Sequence, residues 1–522
     1  MDMIIKCGIL LVFFSVMLGT GFYCRRHSTD VDGFVLGGRS VGPWLTAFAY
    51  GTSYFSAVVF VGYAGQFGWK YGIAATWAGI GNALIGSLMA WAILGRRTRV
   101  MTQHLDSATM PQFFESRFES KALKLASSVI IFIFLIPYTA SLYNGLSRLF
   151  GMAFDIDYSV CVIVMAILTG IYVIAGGYMA TAINDFIQGI IMLVGIVAVI
   201  AAVLKGQGGM TAALEGLARV NDPEAPSIPG VFNSFFGPDP VNLAGVVLLT
   251  SLGTWGLPQM VQKFYAIKSE KAINKGMIIS TLFALVVAGG CYFLGGFGRL
   301  FSDRIDLATG GFDSIIPTML SELSPFLIAV VVVLVLSASM STLSSLVLAS
   351  SSTLTLDFIK GTVVKDLSVK KQLLIIRVLI AVFIAISVVI AIVQYKSNVT
   401  FIAQLMGISW GALAGAFLAP FLYSLYWKRV SAVSVWVSFL FSTLVMTANM
   451  IWKSLFPPLL QSPINAGVFC MLAGLVIVPV ISLFTKAPSA EHITHVFSCY
   501  DTKVVVSVTD AIGEPISKEE TK

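Results

Sequence analysis

Two hydroxyl side chains stand next to each other in the middle of an apolar stretch. The stretch reads LSASMSTLSSLVLASSSTLTLDF, from Leu336 to Phe358, and it holds Ser341 and Thr342 near its centre. On a helix, both hydroxyls lie close to the backbone carbonyl of Ala338, three or four residues earlier. One helical turn would thus gather three oxygens, and clustered oxygens bind hard cations. The alternative is ordinary packing of small residues between membrane helices.

The remaining ligands of such a cation would have to come from a second segment with free carbonyls. Three apolar segments contain internal helix breakers, and they read AYGTSYFSAVVFVGYAGQFG, TSLGTWGLPQM and SWGALAGAFLAP. Unwinding of a helix releases backbone acceptors, and paired breaks in two halves of a chain are typical of transporters with inverted repeats. Close helix packing at glycine is the alternative explanation. We expect a first repeat at 42–204 and a second at 241–427, each opening with a broken helix.

An acid, Asp185, also stands among apolar residues, in GGYMATAINDFIQGIIM. Acids buried in a membrane are costly and are usually functional. An exposed Asp near the N-terminus of a helix is the other explanation, because the helix dipole favours a negative charge there. The sequence alone leaves both explanations open.

The composition indicates that all these segments belong to membrane helices. The chain has 522 residues, of which 57% are hydrophobic and 11% charged, whereas soluble proteins have about 25% charged residues. A spanning helix needs roughly 20 mostly apolar residues. These features predict an all-α membrane protein with about thirteen spans. The candidate stretches are 3–24, 42–69, 72–95, 122–148, 158–180, 186–204, 241–263, 275–298, 325–356, 372–394, 399–427, 431–452 and 464–484.

The distribution of positive charge predicts how the chain is oriented in the cell membrane. Most of the 33 Lys and Arg residues fall in alternate loops, and basic loops face the cytoplasm. The N-terminus is then outside and the C-terminus inside. No small-residue cleavage site follows the first helix, so 1–24 is expected to be a retained transmembrane helix. Two C-terminal helices are expected at 431–484 and a cytoplasmic tail at 485–522.

Several functional classes are disfavoured by what the sequence lacks. It contains no GxxxxGK[ST] phosphate loop, so ATP-driven pumping is not expected. It has no clustered nucleophile, base or metal-ligand set, which argues against an enzyme. The net charge of +7 comes from the inner loops and predicts neither a nucleic-acid partner nor an obligate protein partner. A proton-coupled transporter with Asp185 as carrier stays open. So does a membrane sensor built on a transporter core, although no signalling module follows the last helix.

Four motifs resemble the sodium:solute symporter family, and most closely its sodium/proline branch. They read FVLGGRSVGPWLTAFAYGTSYFS, GGYMATAINDFIQG, SASMSTLSSLVLASSSTLTLDF and FTKAPSA. The resemblance covers residues from about 20 to 490, in order and with few gaps. It implies a LeuT-type core of two inverted five-helix repeats, formed by the second to eleventh helices. It also implies symport, in which inward flow of Na⁺, the co-transported ion, drives uptake of a small organic solute.

The resemblance also implies which residues bind sodium. In this family the ion is bound by carbonyls at the break of the second helix and by oxygens of the ninth helix. Matched by motif, the ligands are Thr52, Phe55, Ala338, Ser341 and Thr342. The last three are the same trio that helical spacing brings together.

Two further residues receive roles from the resemblance. Asp185 matches an acid on the exit route of sodium towards the cytoplasm. Arg39, in the GGRS motif, matches an arginine of an inner loop and is expected to have a structural or gating role.

The sequence departs from its relatives at the solute end. Proline symporters carry an Asp in the second helix where this chain has Tyr54, and a Trp and a Tyr in the seventh helix near Thr250 and Thr254. A tyrosine cannot replace a carboxylate as a charge partner. We therefore expect the solute to be a proline-like amino acid or a small monocarboxylate, and proline itself is in doubt.

The solute is expected at the midplane of the membrane. The candidate residues are Tyr54, Ser56, Tyr138, Thr254 and Trp255. Ordinary helix packing is the alternative for most of them. No basic residue is expected inside the bundle to bind a dicarboxylate, whereas the N-terminus of a half-helix can hold one carboxylate.

Overall fold

The structure, a computed structural model, describes residues 2–25, 30–154, 157–221, 229–364, 367–397 and 402–500. Within these ranges the only β pairing consists of two isolated bridges, Val41 with Ile267 and Lys360 with Val364. The α-helices are α1 (Asp2–Cys24), α2 (Val31–Leu36), α3 (Pro43–Tyr54), α4 (Ala64–Tyr71), α5 (Thr76–Gly81), α6 (Arg96–His104), α7 (Met110–Phe118), α8 (Lys121–Phe154), α9 (Tyr158–Gly206), α10 (Met210–Ala218), α11 (Pro240–Leu252), α12 (Pro258–Ala266), α13 (Glu270–Gly295), α14 (Leu307–Gly310), α15 (Ile315–Leu320), α16 (Pro325–Thr353), α17 (Val369–Ser397), α18 (Ile402–Tyr426), α19 (Ala432–Ile451), α20 (Pro463–Phe484) and α21 (Ala490–Phe497). The π-helical segments are Val58–Tyr63, Asn82–Met89, Trp91–Gly95 and Leu354–Val363. The predicted all-α class is confirmed.

Ten helical stretches among the described residues are long and apolar enough to cross a membrane, or eleven if the bent pair α11–α12 forms one span. Two of the ten, Val58–His104 and Tyr158–Gly206, contain 47 and 49 residues. Helices of this length extend about 70 Å, more than twice the ~30 Å of a bilayer core. Each has the length for two crossings, and the number of thirteen spans stays a prediction.

Helix α9 contains both expected spans, 158–180 and 186–204, and the kink that divides it lies at Gly177, inside the first expected span. Only Gly177 leaves the helical conformation, with φ 57° and ψ −147°. A Cβ atom at this position would lie 2.7 Å from the carbonyl oxygen of Phe34, so glycine fits both the conformation and the space. A bend of one residue thus replaces the expected loop, and Asp185 lies two turns beyond it.

Helices α16 and α18 lie in the centre of the bundle. Every residue of α16 from Val331 to Thr353 is buried, and most of α18 is buried as well. The outer helices α17, α19 and α20 instead expose large apolar side chains, including Val389, Leu444 and Val476. Apolar exposure of this extent is expected of a surface that faces lipid.

Two elements are broken, one at the start of each predicted repeat. Helix α3 ends at Tyr54, and Phe55 has an extended backbone, with φ −94° and ψ 116°. Helices α11 and α12 are bent by 42° relative to each other, and Leu257 between them is extended, with φ −79° and ψ 123°. Both breaks were expected from their glycine- and serine-rich sequences, and the boundaries of the two repeats stay a prediction.

Beyond the first break, α4 packs against α13 with almost no space between their backbones. A Cβ atom on Gly295 of α13 would overlap the backbone carbonyl of Ala64. By contrast, a Cβ atom on Gly289 of the same helix would meet no atom within 4 Å. The contact between these two helices therefore depends on Gly295 having no side chain.

We expect Gly295→Ala to lower the stability of the protein, because the added methyl group forces the two backbones apart. Overpacking of this kind costs about 1–3 kcal/mol. Thermal unfolding of the purified protein measures the effect, and Gly289→Ala is the matched control because its methyl group enters open space. Equal melting temperatures for the two variants would contradict the prediction.

Candidate sodium and solute site

Five oxygen atoms from α3, its break and α16 meet in the buried centre of the bundle. The Thr342 hydroxyl lies 3.1 Å from the Thr52 carbonyl, 3.3 Å from the Phe55 carbonyl and 3.1 Å from the Ala338 carbonyl. The Ser341 hydroxyl lies 3.2 Å from the Thr52 carbonyl and 3.0 Å from that of Ala338. The structure thus brings all five predicted sodium ligands together.

The conformation of Phe55 explains why carbonyls are available here. The last carbonyls of a helix have no partner within it, and the extended Phe55 ends α3 at this depth. The chain turns back into a helix at Ser56, whose hydroxyl accepts a hydrogen bond from the Val58 amide at 3.2 Å. The exposed carbonyls then face α16 rather than lipid.

The donor set fits a hard monovalent cation. The two hydroxyl groups supply only two protons for five oxygen–oxygen contacts. Some acceptor oxygens of the cluster therefore have no proton to accept. Two oxygens that each lie about 2.4 Å from the same cation are about 3.4 Å apart when the two cation–oxygen directions are perpendicular. The observed separations of 3.0–3.3 Å are slightly shorter, so small outward shifts would admit an ion.

Asp185 is buried and lies beside a buried lysine. Its Oδ2 atom is 3.9 Å from Nζ of Lys263, and the two side chains are 0% and 2% exposed. Lys263 also donates a hydrogen bond to the Ser345 hydroxyl at 3.0 Å, and that hydroxyl lies 2.9 Å from the hydroxyl of Ser53. Within the described residues, neither carboxylate oxygen of Asp185 has a hydrogen-bond donor.

The expectation that no basic residue lies inside the bundle is wrong, because Lys263 is buried there. Its position in a basic stretch at the end of a predicted span suggested an inner-loop residue, but α12 directs it towards α9 and α16. Arg99 and Arg117 are buried as well. The argument against a dicarboxylate therefore cannot rest on a lack of buried positive charge.

Arg39 joins three segments near the C-terminal end of α12. It has a positive φ of 55°, and its guanidinium donates to the carbonyl of Ser107 at 2.7 Å and to that of Tyr265 at 3.5 Å. Tyr265 follows Lys263 by two residues on α12. These contacts agree with a structural or gating role for Arg39, which stays a prediction.

Three polar side chains, those of Ser56, Tyr138 and Trp410, lie close together beside the first break. The Tyr138 hydroxyl and the Trp410 indole nitrogen are buried and have no hydrogen-bond partner among the described residues. Their rings meet edge to face with centroids 5.9 Å apart, and the Ser56 and Trp410 side chains both lie near the Tyr138 hydroxyl. Trp410 was missed by sequence reasoning, although its motif SWGALAGAF marks it as an aromatic residue in a glycine-rich span.

The other predicted solute residues have partners within the protein. Thr254 donates to the Gly86 carbonyl at 3.0 Å, and the Trp255 indole donates to the Ile85 carbonyl at 3.0 Å. Both contacts join the second break to the segment Asn82–Met89. Tyr54 closes α3, and its side chain lies outside the described part of the structure.

A sequence model of the Sodium:solute symporter family matches residues 34–451. The chain belongs to the sodium:solute symporter family. This membership confirms the resemblance on which the site was predicted, the transmembrane symport class and sodium as the co-transported ion. It agrees with a transporter rather than an enzyme.

Two named relatives are sodium/proline symporters of Staphylococcus aureus, from strains JH9 and N315. Each is 31% identical to this chain over 499 residues, which cover 92% of this chain and 93% of the relative. The similarity thus extends through both predicted repeats and the helices after them.

Solved structures show the same fold at low sequence identity. A Na⁺-coupled sialic acid symporter, in a substrate-bound outward-open state, superposes with a TM-score of 0.76 at 16% identity, covering 93% of this chain and 98% of that one. The inward-facing Mhp1 transporter superposes with a TM-score of 0.52 at 11% identity, covering 87% and 94%. The LeuT-type fold expected from the motifs is therefore confirmed.

We expect sodium to raise the melting temperature of the purified protein relative to potassium, because an ion that binds only the folded state stabilises it by mass action. Ser341→Ala and Thr342→Ala should each weaken sodium binding at least tenfold, or ~1.4 kcal/mol. Ser352→Ala is the matched control, since its hydroxyl bonds a carbonyl of the same helix at 2.7 Å away from the break. A sodium shift that all three variants retain would contradict the assignment.

Proposed function

We propose that the protein is a secondary active symporter that couples inward flow of Na⁺ to the uptake of a small organic solute. The observation that carries the proposal is the cluster of five oxygens at the break after α3, which joins that break to α16. Sodium bound there ties the first repeat to the second. In this proposal the two repeats are 42–204 and 241–427, as the sequence predicts.

Sodium and solute act on each other through the break. Ser56 lies one residue after Phe55 and caps the second half of the helix, so an ion held by the Phe55 carbonyl also fixes the position of Ser56. Sodium then raises the affinity for solute, and by linkage solute raises the affinity for sodium by the same factor. The driving force is the sodium gradient plus the membrane potential, which contributes about 2.3 kcal/mol per charge per 100 mV.

The orientation is the one that the loop charges favour, with the N-terminus outside, the tail 485–522 in the cytoplasm and the chain in the cell membrane. Sodium enters from outside and leaves inward past Asp185. Ser345 supports this direction, because it follows Ser341 by one turn of α16 and contacts Lys263, which lies beside Asp185. The proposed mechanism requires the solute, sodium and the lipid bilayer, and it requires no protein partner.

The solute is best described as an amino acid resembling proline or as a small monocarboxylate. The relatives named as sodium/proline symporters support this class. Tyr138, Trp410 and Ser56 support it as well, because three uncharged donors next to the N-terminus of a half-helix suit one carboxylate group. Lys263 is already paired with Asp185, so it does not add a second site for negative charge.

Transport into proteoliposomes tests the coupling directly. With sodium outside and an inside-negative potential of 100 mV, we expect labelled proline, another amino acid or a monocarboxylate to accumulate. For a zwitterionic amino acid the potential alone allows about fifty-fold with one coupled charge. A monocarboxylate anion carried with one Na⁺ moves no net charge, so the sodium gradient alone would drive its accumulation. Replacing sodium by potassium should abolish accumulation. Accumulation driven by a proton gradient and indifferent to sodium would instead establish the proton-coupled alternative, and binding of solute without accumulation would favour a sensor.

Tyr138→Phe should raise the KM for the accumulated solute about tenfold or more, because a hydrogen bond to a charged group contributes about 1.5–3 kcal/mol. The sodium-induced rise in melting temperature should be unchanged, since the five ligands are intact. Tyr423→Phe is the control, because it removes the same atom from a tyrosine at the C-terminal end of α18, where the hydroxyl donates to the Leu475 carbonyl. An unchanged KM in Tyr138→Phe would move the solute away from this cluster.

A further inference from the structure

A second polar cluster lies directly behind the proposed sodium site. Its members are Asp185 on α9, Lys263 on α12, Ser345 on α16 and Ser53 on α3, and all four are buried. The Lys263 ammonium contacts two of the other elements. It is 3.0 Å from the Ser345 hydroxyl of α16, and on α9 it is 3.9 Å from Asp185 and 5.0 Å from the centre of the Tyr178 ring.

The two clusters share the same two helices. Ser53 follows the ligand Thr52 on α3, and Ser345 follows the ligand Ser341 by one turn of α16, a rise of about 6 Å. The hydroxyls of Ser53 and Ser345 lie 2.9 Å apart. Sodium that leaves the five oxygens along α16 therefore reaches the Lys263–Asp185 pair next.

The Asp185 carboxylate depends on this one cation. No donor among the described residues bonds either of its oxygens, and a buried carboxylate without a counter-ion is strongly destabilising. One carboxylate with two serine hydroxyls is also a ligand set of the kind that binds a hard metal cation. The Lys263 ammonium therefore has the position and the charge that a sodium ion would have there.

We propose that Lys263 is a resident cation in this second cluster and that it excludes a second sodium ion, so that the chain binds one sodium per transport cycle. The inference rests on the proposed sodium site and specifies its stoichiometry. Lys263 belongs to α12, the inner half of the second broken helix, whereas Asp185 belongs to α9. The pair therefore also joins the two repeats on the route by which sodium leaves.

Binding of ²²Na⁺ to the purified full-length protein tests the inference without knowledge of the solute. We expect one ion per chain for the wild type and for Lys263→Arg, which keeps the charge. Lys263→Met should bind two ions, because Asp185 then needs another cation. The double variant Asp185→Asn/Lys263→Met should again bind one sodium ion per chain.

Two further measurements guard against a variant that simply folds poorly. In potassium medium, Lys263→Met should melt at a lower temperature than the wild type, and sodium should restore it by a larger shift than the double variant shows. Asp185→Asn should weaken sodium binding about tenfold or more, because an unpaired ammonium then repels the neighbouring ion.

The outcomes separate this inference from the proposed function. Two ions in the wild type, or one ion in Lys263→Met with an unchanged sodium affinity in Asp185→Asn, would overturn the role of Lys263. No ion in the wild type but one in Lys263→Met would overturn the five-oxygen site and support the role of Lys263.

Discussion

The extended backbone at Phe55 is the constraint on which the rest of the centre depends. A backbone carbonyl left without a partner inside a membrane costs several kcal/mol, so a broken helix needs polar groups from a neighbour. Ser341 and Thr342 supply hydroxyls to the carbonyls of Thr52 and Phe55. This requires α16 to be continuous, buried and opposite the break. The same hydroxyls satisfy the break without an ion, and in the proposed sodium site they would become ligands when an ion enters.

The part of the site that the sequence predicts by itself is the part that is local. Ala338, Ser341 and Thr342 lie within one turn, and helical geometry alone brings their oxygens together. The carbonyls of Thr52 and Phe55 followed only from the family resemblance, because which carbonyl is released depends on one pair of backbone angles. The position of the kink in α9 was not predicted for a similar reason, since Gly177 bends the chain within a single residue.

Lys263 shows where charge patterns along the sequence fail. A lysine near the end of a predicted span is counted as an inner-loop charge, because long basic side chains reach the interface from there. Its burial depends on the direction in which α12 leaves the 42° bend and on the acid that α9 places opposite it. Trp410 is a similar case, because its relation to Tyr138 arises from the packing of α18 against α8. A contact between two helices that are far apart in the chain leaves no periodic pattern in the sequence of either helix.

The two polar clusters differ in what remains when sodium has left, and a symporter must return empty. The five-oxygen cluster is neutral, so its hydroxyls re-form hydrogen bonds to the carbonyls. An acid that relied on sodium would instead carry an uncompensated charge through the return step, at a cost of several kcal/mol. With Lys263 beside Asp185, the buried charge of the empty carrier is balanced within the protein. In the proposed mechanism, Lys263 is then as important for the return of the empty carrier as Ser341 and Thr342 are for its loading.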